Sequence, residues 1–342
     1  MDNQLTQALQ AVKDTQALLK ASNITTTSVT NLVREDLEQE VKVALSTETP
    51  LRNRLPRTPG YGDAHEFFRV EPTSTSGIKS LGTLFANMVV ADGAIPTTVA
   101  DATMKKIVQT YKNIADKYSF TYQESAAGRN FEDVNTRKRK TKISNVMLAE
   151  EYYIINGDVD NSAYEFDGLK KQITQTLDYA SFTPTTADLK LMEAIQNCCK
   201  TIFDNGGRAR AVVLPSGAMV RLIKEIWIKA QIDLGISATE AAGRVGFQLK
   251  SYDFGFGECD LIVSRYIPYY SYSGSSAWDI YVVDDKTVDS QNDGTAIQVV
   301  ERIPISEVKL GLTALSENTV VFENVLLQIG CPTFQVEINN YQ

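Results

Sequence analysis

Residues 49–57 read TPLRNRLPR, and the same ribbon continues to residue 70 as TPGYGDAHEFFRV. Each proline interrupts a helix and pushes the residue before it towards an extended conformation, while the two glycines add backbone freedom. The pattern therefore predicts an extended arm over residues 48–65, which needs another surface to lie on. The prolines, arginines and histidine of the arm are Pro50, Arg52, Arg54, Pro56, Arg57, Pro59 and His65.

The composition is that of an ordinary folded protein. The chain has 342 residues, of which 43% are hydrophobic and 22% charged, as is typical of globular domains. No window approaches the roughly 20 apolar residues of a membrane span, and the opening MDNQLTQALQ lacks the apolar core of a signal peptide. The formal net charge of -8 argues against a dedicated nucleic-acid binder, since such domains are usually basic. We therefore expect no membrane association and no secretion signal.

The chain has one histidine and four cysteines. One histidine excludes most zinc sites and every serine or cysteine triad that does not use His65 itself. Cys198, Cys199, Cys259 and Cys331 show no CxxC spacing, so we expect buried free thiols rather than disulfides or metal ligands. No motif supports catalysis, and the sequence predicts no catalytic, cofactor-binding or metal-binding residue.

Residues 158–168, DVDNSAYEFDG, match a calcium-binding loop only at their start. Asp158 and Asp160 have the required spacing, but alanine stands where the sharp glycine turn belongs and Gly168 stands near the position of the closing glutamate. An enzyme that uses acids and tyrosines alone, such as Asp158, Asp160 and Tyr164, is the alternative from a different class of protein.

Two apolar stripes at helical spacing predict amphipathic helices in the first 47 residues. One stripe lies within residues 3–21 and the other within residues 33–44. Neither helix can bury its stripe well on the other, so we expect both to pack on another surface.

Residues 66–127 change to a strand pattern. HEFFRV, KKIVQTYK and KYSFTYQ read as strands, and Tyr118, Phe120 and Tyr122 alternate onto one face. A long hairpin is marginal by itself in water. The segment therefore predicts an extended loop that rests on a neighbouring subunit.

Residues 135–158 predict one long helix, with Ile143, Met147 and Ile154 on its buried side and an Asn-Gly pair at its end. Its first part is strongly basic, although the dipole at that end of a helix favours anions. The cluster indicates either a solvated helical face or contacts with acidic groups of another subunit or with DNA. Its cations are Arg137, Lys138, Arg139, Lys140 and Lys142.

The second half of the chain alternates helices and strands. Thr185 is the candidate cap of a helix over residues 186–204. RAVVLP, FQLKSYDF, CDLIVSRYIP and DIYVVDD read as strands, and Ser216 opens a helix after the first of them, so residues 207–305 predict a compact α/β unit. The acidic, strand-rich tail ENTVVFENVLLQIGCPTFQVEI is expected to lie near the basic helix.

These parts, in this order, resemble the major capsid protein of tailed bacteriophages, in the shell fold shared with encapsulins. The resemblance covers residues 48–337. It is carried by TPLRNRLPR, by EEYYIINGD with YEFDGL shortly after it, and by RAVVLPSGAMVRLI. None of these stretches is a catalytic signature, so the order and spacing of the parts carry the resemblance together.

The resemblance implies an α+β fold with six parts. They are an N-terminal helical arm or extension (1–47), an extended proline/arginine arm (48–65), an extended β-hairpin loop (66–127), a peripheral domain with a long spine helix (128–206), an axial α/β domain (207–305), and C-terminal strands that return to the peripheral domain (306–342). The extension is expected to stay in the shell; the alternative is an internal scaffold that a viral protease later removes.

The resemblance also implies a function and partners. The protein is expected to assemble with itself into hexamers and pentamers, in the host cytoplasm, as the icosahedral head that encloses a double-stranded DNA genome without sequence-specific binding. Portal, scaffold and decoration proteins are further expected partners, and the virion is the expected location. An encapsulin-like compartment shell is the alternative with the same fold.

The exposed charged and aromatic positions of the arm, the loop and the basic helix are the expected inter-subunit contacts. In that reading, the arm arginines bind carboxylates of the neighbouring subunit. The residues are Arg52, Arg54, Arg57, His65, Phe67, Phe68, Arg137, Lys138, Arg139 and Lys140.

Overall fold

A computed structural model describes residues 48–71, 92, 103–128, 133–234, 250–286, 296–313 and 315–342. The helices predicted within residues 3–47, and most of the chain between the second and third strands, lie outside these residues. The helices are α1 (Pro50–Arg54), α2 (Tyr122–Gly128), α3 (Val134–Asn156), α4 (Leu169–Gln172), α5 (Lys190–Asp204) and α6 (Ser216–Leu234). Short 3-10 turns cover Ala187–Leu189 and Pro332–Phe334. None of the described helices is long and apolar enough to span a membrane.

Thirteen strands form three sheets within the described residues. The strands are β1 (Arg57–Pro59), β2 (Ala64–Glu71), β3 (Thr103–Thr110), β4 (Lys112–Thr121), β5 (Gln175–Asp178), β6 (Ala211–Leu214), β7 (Ser251–Asp253), β8 (Glu258–Val263), β9 (Tyr270–Tyr272), β10 (Ser275–Val283), β11 (Ile297–Thr313), β12 (Ser316–Ile329) and β13 (Val336–Tyr341).

The four-stranded sheet has the order β1-β11-β12-β4. Its centre is the long antiparallel hairpin of β11 and β12, and β1 adds a short parallel edge strand. Side chains alternate between the two faces of a strand. On β12 this places Val321, Glu323 and Val325 on one face, where all three are buried. Helix α3 packs against both β4 and β12 of this sheet.

Helix α3 begins where the sequence predicted it. The Asp133 side chain caps it by accepting a hydrogen bond from the Asn135 backbone N–H at 3.0 Å, and the helix ends before Gly157. Its buried stripe differs from the prediction, because only Ile154 of the three expected residues is buried. The other buried residues of the helix are Val146, Glu150, Glu151 and Ile155. The two glutamates have the partners described below.

The larger sheet has seven strands in the order β5-β13-β10-β6-β8-β7, with β9 paired to β10. Its two faces contribute to different cores, since Val213 belongs to the core shared with α3 and Val212 to the core shared with α5 and α6. Cys198, Cys199 and Cys259 are buried thiols, as predicted, whereas Cys331 is half-buried.

Several predicted boundaries differ in the structure. Strand β4 was assigned to the extended loop, but it pairs with β12 in the four-stranded sheet, so the two-stranded hairpin contains only β2 and β3. Tyr118 and Phe120 are buried as expected, whereas Tyr122 starts α2 and is 50% exposed. The tail is divided between two sheets: β12 joins the four-stranded sheet and β13 the seven-stranded one. Strand β11, most of which was assigned to the α/β unit, also belongs to the four-stranded sheet.

Two local predictions were wrong. Residues 50–54 form a short helix instead of extended chain, because Pro50 occupies the first helical turn, where its missing N–H needs no partner. Thr185 does not cap α5. Its backbone N–H and that of Thr186 donate to the Glu193 carboxylate instead.

Candidate assembly surfaces

Residues 49–59, which comprise α1 and β1, form what we call the arginine strap. Glu151 of α3 accepts hydrogen bonds from the backbone N–H groups of Leu51 and Arg52, at 3.1 and 2.6 Å. These N–H groups have no partner within a helix at its first turn. Glu151 therefore fixes the start of α1 against α3, although burial raises the pKa of its carboxyl group.

Two strap arginines converge on one buried carboxylate. Arg52 Nε and Arg57 Nη2 each bind a different oxygen of Glu150, which has no exposed surface. Arg57 Nη1 also lies 3.1 Å from Glu301 Oε1 on β11. Because the Glu150 charge is removed from water, it requires both partners to compensate for its lost hydration.

A second buried carboxyl group lies beside this pair. Glu323 of β12 is 0% exposed; Arg52 Nη2 is 4.0 Å from its Oε2, and neither oxygen has a hydrogen-bond partner among the described residues. Burial, together with the nearby charge of Glu150, raises the pKa of Glu323 well above its ordinary value. The site therefore favours a neutral, protonated Glu323.

Arg54 points in the opposite direction. Residues two apart on a helix are separated by about 200° around its axis, so Arg54 faces away from Arg52. Its Nε lies 2.6 Å from Asp285 Oδ2 and its Nη1 2.5 Å from Asp260 Oδ2. Since Asp260 is in β8 and Asp285 follows β10, the strap connects the two large sheets through charged groups.

The strap arginines have carboxylate acceptors within their own chain. Contacts of Arg52, Arg54 and Arg57 with carboxylates of a neighbouring subunit stay a prediction. The acceptors were missed because they are 93 to 244 residues away in the sequence. The one local signal was the Glu150–Glu151 pair, which begins one helical turn before the buried Ile154.

Strands β2 and β3 form a separate two-stranded hairpin. At its base, His65 Nε2 lies 2.9 Å from Gln328 Oε1, and the His65 ring stacks on Phe67 at 5.8 Å. Further along, Phe68 pairs in register with Lys106 and is 66% exposed, and Val108 is 54% exposed. The hairpin thus carries exposed apolar side chains on strands that pair only with each other.

The basic turns of α3 have acidic neighbours within the chain. Lys138 Nζ is 2.9 Å from Glu124 of α2, and Arg139 binds Glu307 of β11. Lys140 is exposed. The helix lies against β12, as expected for the tail, but the carboxylates that pair with these two cations come from α2 and β11. Contacts of Arg137, Lys138, Arg139 and Lys140 with another subunit stay a prediction.

The loop between α3 and α4 is closed by two glycines. The Gly168 N–H donates to the Gly157 carbonyl at 2.8 Å, and a Cβ on either residue would overlap backbone atoms of the loop. This contact explains why INGD and YEFDGL occur together. Within the loop, Asp158 and Asp160 are held by Lys171. Tyr164 projects outward, with 88% of its surface exposed.

This loop gives no support to the alternative of an enzyme whose site uses only acids and tyrosines. Asp158 and Asp160 are neutralised by a lysine at the surface, and Tyr164 is far from enclosed. In the part of the chain that the structure describes, no cluster of three or more histidine, cysteine or acidic side chains could hold a metal ion.

A long helix on a four-stranded sheet, a separate hairpin and a second sheet with its own helices form the subunit fold of phage capsids and encapsulins. The capsid of a native GTA particle matches with a TM-score of 0.60 at 12% identity, covering 91% of this chain and 96% of that one. The capsid of Myoviridae phage XM1 gives 0.59 at 10%, covering 90% and 96%. The SrpI encapsulin of Synechococcus elongatus PCC 7942 gives 0.58 at 11%, covering 92% and 95%.

The sequence identifies the family within this fold. The model of the SU10 major capsid protein family matches residues 21–292, and the chain belongs to that family. Comparison with curated protein sequences gives no match. The family and the α+β shell fold predicted from the sequence are thereby confirmed, and the protein has the structural role of a capsid subunit.

Proposed function

We propose that this chain assembles as hexamers and pentamers into the icosahedral head of a tailed phage, around its double-stranded DNA. The observation that carries the proposal is the β2–β3 hairpin, which exposes Phe68 and Val108 on an isolated pair of strands. Exposed apolar side chains at such a position mark an interaction site. In a shell, the hairpin rests on the adjacent subunit.

Repetition makes weak contacts sufficient. Exposed ion pairs contribute about 0–1 kcal/mol each, but a closed ring forms every contact several times and the shell forms it many times more. Phe67, the solvent-facing part of His65 and the basic turns of α3 complete the proposed contact set. Assembly in the host cytoplasm, with a portal and with scaffold or decoration proteins, belongs to the same proposal.

The first test is negative-stain electron microscopy of the purified protein together with its mass from light scattering. We expect rings of five or six subunits, tubes or closed shells. If the full-length chain and a variant lacking residues 1–47 both remain monomers or dimers, the proposal fails.

An encapsulin-like compartment is the second candidate, favoured by the structural match to an encapsulin. The two functions differ in what the shell contains. Particles purified from their native source should contain nuclease-protected double-stranded DNA if the chain is a phage capsid protein. A stoichiometric enzyme inside particles free of DNA would indicate the compartment instead.

A further inference from the structure

A lysine and a buried aspartate meet at the edge of α4, away from the surfaces described above. Lys170 Nζ lies 2.7 Å from Oδ2 of Asp279 on β10. Asp279 is only 3% exposed, whereas Lys170 is half exposed. The amine nitrogen is thus within hydrogen-bond distance of a carboxylate that is largely shielded from water.

The other carboxylate oxygen is also held. The Tyr270 hydroxyl donates to Asp279 Oδ1 at 2.7 Å, and it accepts a hydrogen bond from the Asn340 backbone N–H at 2.9 Å. The Lys170 ammonium lies over the Tyr270 ring, 5.0 Å from its centre. The ring therefore covers one side of the amine and fixes the direction from which it approaches the carboxylate.

A strand irregularity builds this arrangement. The register between β10 and β13 shifts between Trp278 and Ile280, which is where Asp279 lies. On the opposing strand Asn340 has a φ of 57°, a left-handed conformation that non-glycine residues rarely adopt. Bulges and unusual backbone conformations concentrate at functional positions, and here they orient the Tyr270 hydroxyl towards Asp279.

A second buried acid completes the cluster. Glu337 of β13 is 7% exposed; it pairs with Tyr281, two residues after Asp279 on β10, so the two acids share one face of the sheet. Burial, together with the negative charge of Asp279, raises the pKa of Glu337 to about 7. At neutral pH Glu337 is therefore protonated in a large fraction of the molecules.

We propose that Lys170 and Asp279 condense into an amide bond within the subunit, with Glu337 as the proton carrier. Glu337 protonates Asp279 and takes a proton from the Lys170 ammonium. The nitrogen lone pair then forms a bond to Cγ of Asp279, and the developing negative oxygen accepts a hydrogen bond from Tyr270. The C–O bond breaks, and the oxygen leaves as water.

The reaction is balanced without any further reagent. An ammonium and a carboxylate become one amide and one water molecule, and Glu337 ends in its starting protonation state. Amide formation in dilute water is unfavourable, but groups fixed in reactive geometry reach effective concentrations of about 10⁵–10⁸ M. A preorganised hydrogen-bond donor aimed at the reacting oxygen lowers the barrier further.

The chain contains its own control pair. Lys171, the next residue, lies 2.5 Å from Asp160 Oδ2 and 3.2 Å from Asp158 Oδ1. The side chains of these aspartates are 79% and 36% exposed, and the carboxylates stay solvated. Lys171 therefore has the same type of partner at a similar distance, without the buried acid, and it should remain unmodified.

The test is the intact mass of the denatured protein. Wild type should be 18 Da lighter than its sequence, and Lys171→Arg should show the same loss. Lys170→Arg and Glu337→Gln should each have their full calculated mass. After trypsin digestion, the modified chain should give residues 143–171 joined to residues 266–286, because trypsin cannot cleave after an acylated Lys170.

Two results would overturn the proposed amide bond. A wild-type mass equal to that of its sequence overturns the proposal, and so does a loss of 18 Da that maps to any other pair of residues. The wild-type measurement alone decides this, even if a variant folds poorly. Assembly is read out separately, so the proposed capsid function stands or fails independently of this bond.

Discussion

The arginine strap and the β2–β3 hairpin are close in sequence but differ in what holds them. Each strap arginine binds carboxylates of its own chain, and Leu51 is 1% exposed. The hairpin is attached at its base by His65 and exposes Phe68 further out. The sequence predicted an extended arm and an extended loop that both rest on another surface, but the strap is held by contacts within its own subunit.

The difference lies in the availability of buried acids. Helix α3 places two glutamates beneath the strap, where a fully buried carboxylate costs several kcal/mol unless it is paired. The strap provides those pairs, and it is therefore fixed within the subunit. On the hairpin, the ion pair of Lys106 with Glu66 is at the surface, and the exposed Phe68 and Val108 are available to a partner.

Glu150→Gln should lower the free energy of unfolding more than any other substitution discussed here. The substitution leaves Arg52 and Arg57 without their shared buried charge, and loss of one partner from a buried ion pair costs about 3–5 kcal/mol. Urea unfolding followed by circular dichroism should show a loss of this size. Glu301→Gln, which affects only the outer contact of Arg57, is the control and should cost much less. Equal effects of the two substitutions would contradict the central role of Glu150.

Glu323→Gln should make stability depend less on pH. Burial raises the pKa of Glu323 in the folded protein above its unfolded value, so its contribution is fully present below the unfolded pKa and is lost as pH rises through the folded one. At pH 9 the Glu323→Gln variant should be more stable than wild type by about 1–3 kcal/mol, which is the usual cost of one buried polar group without a hydrogen-bond partner. At pH 4, below the unfolded pKa, the two proteins should unfold alike. Parallel urea titrations at both pH values test this, and an equal difference at both would argue against it.

Phe68→Ser should separate subunit stability from assembly. The side chain is 66% exposed, and surface substitutions usually change stability by less than about 0.5 kcal/mol. We expect an unchanged urea midpoint but a loss of rings and shells in electron micrographs. Tyr164→Ser, at a more exposed aromatic residue, is the control and should assemble normally. Normal shells from Phe68→Ser would exclude this position as a main contact.

The double variant Arg139→Glu/Lys140→Glu has the smallest expected effect on the subunit. Arg139 is largely exposed, and its pair with Glu307 is at the surface, where ion pairs add little to stability. We expect an unchanged melting temperature and a lower yield of shells, most evident at low salt. If both stability and assembly stay at wild-type values, the basic turns of α3 are simply a solvated face.

The sequence predicted those parts of the fold that depend on local patterns. The limits of α3, the strand at residues 211–214 and the helix opened by Ser216 follow from capping residues and apolar periodicity. The strand at HEFFRV also formed as predicted. This strand pairs in antiparallel fashion with residues 103–110, which are distant in the sequence. The register of such a pair is specified by the alternation of its side chains.

The site was less predictable, because its key pairs connect distant parts of the chain. Glu323 and Arg52 are neighbours in space, but no periodicity relates them. The prediction that prolines exclude a helix at residues 50–54 also overlooked that the first turn tolerates proline. Sheet membership of β4 and β13 depends on long-range pairing, which the local pattern of a sequence does not reveal.

The strap also bears on how the two halves of the subunit are oriented. Arg52 binds Glu150 of α3, the helix that packs on the four-stranded sheet, whereas Arg54 binds Asp285, which follows β10 of the seven-stranded sheet. A change in the angle between the sheets would have to lengthen or break at least one of these ion pairs. The curvature of any assembly built from the subunit therefore depends on a few ångströms of guanidinium geometry, which salt screens only weakly because its acceptors Glu150 and Asp285 are buried.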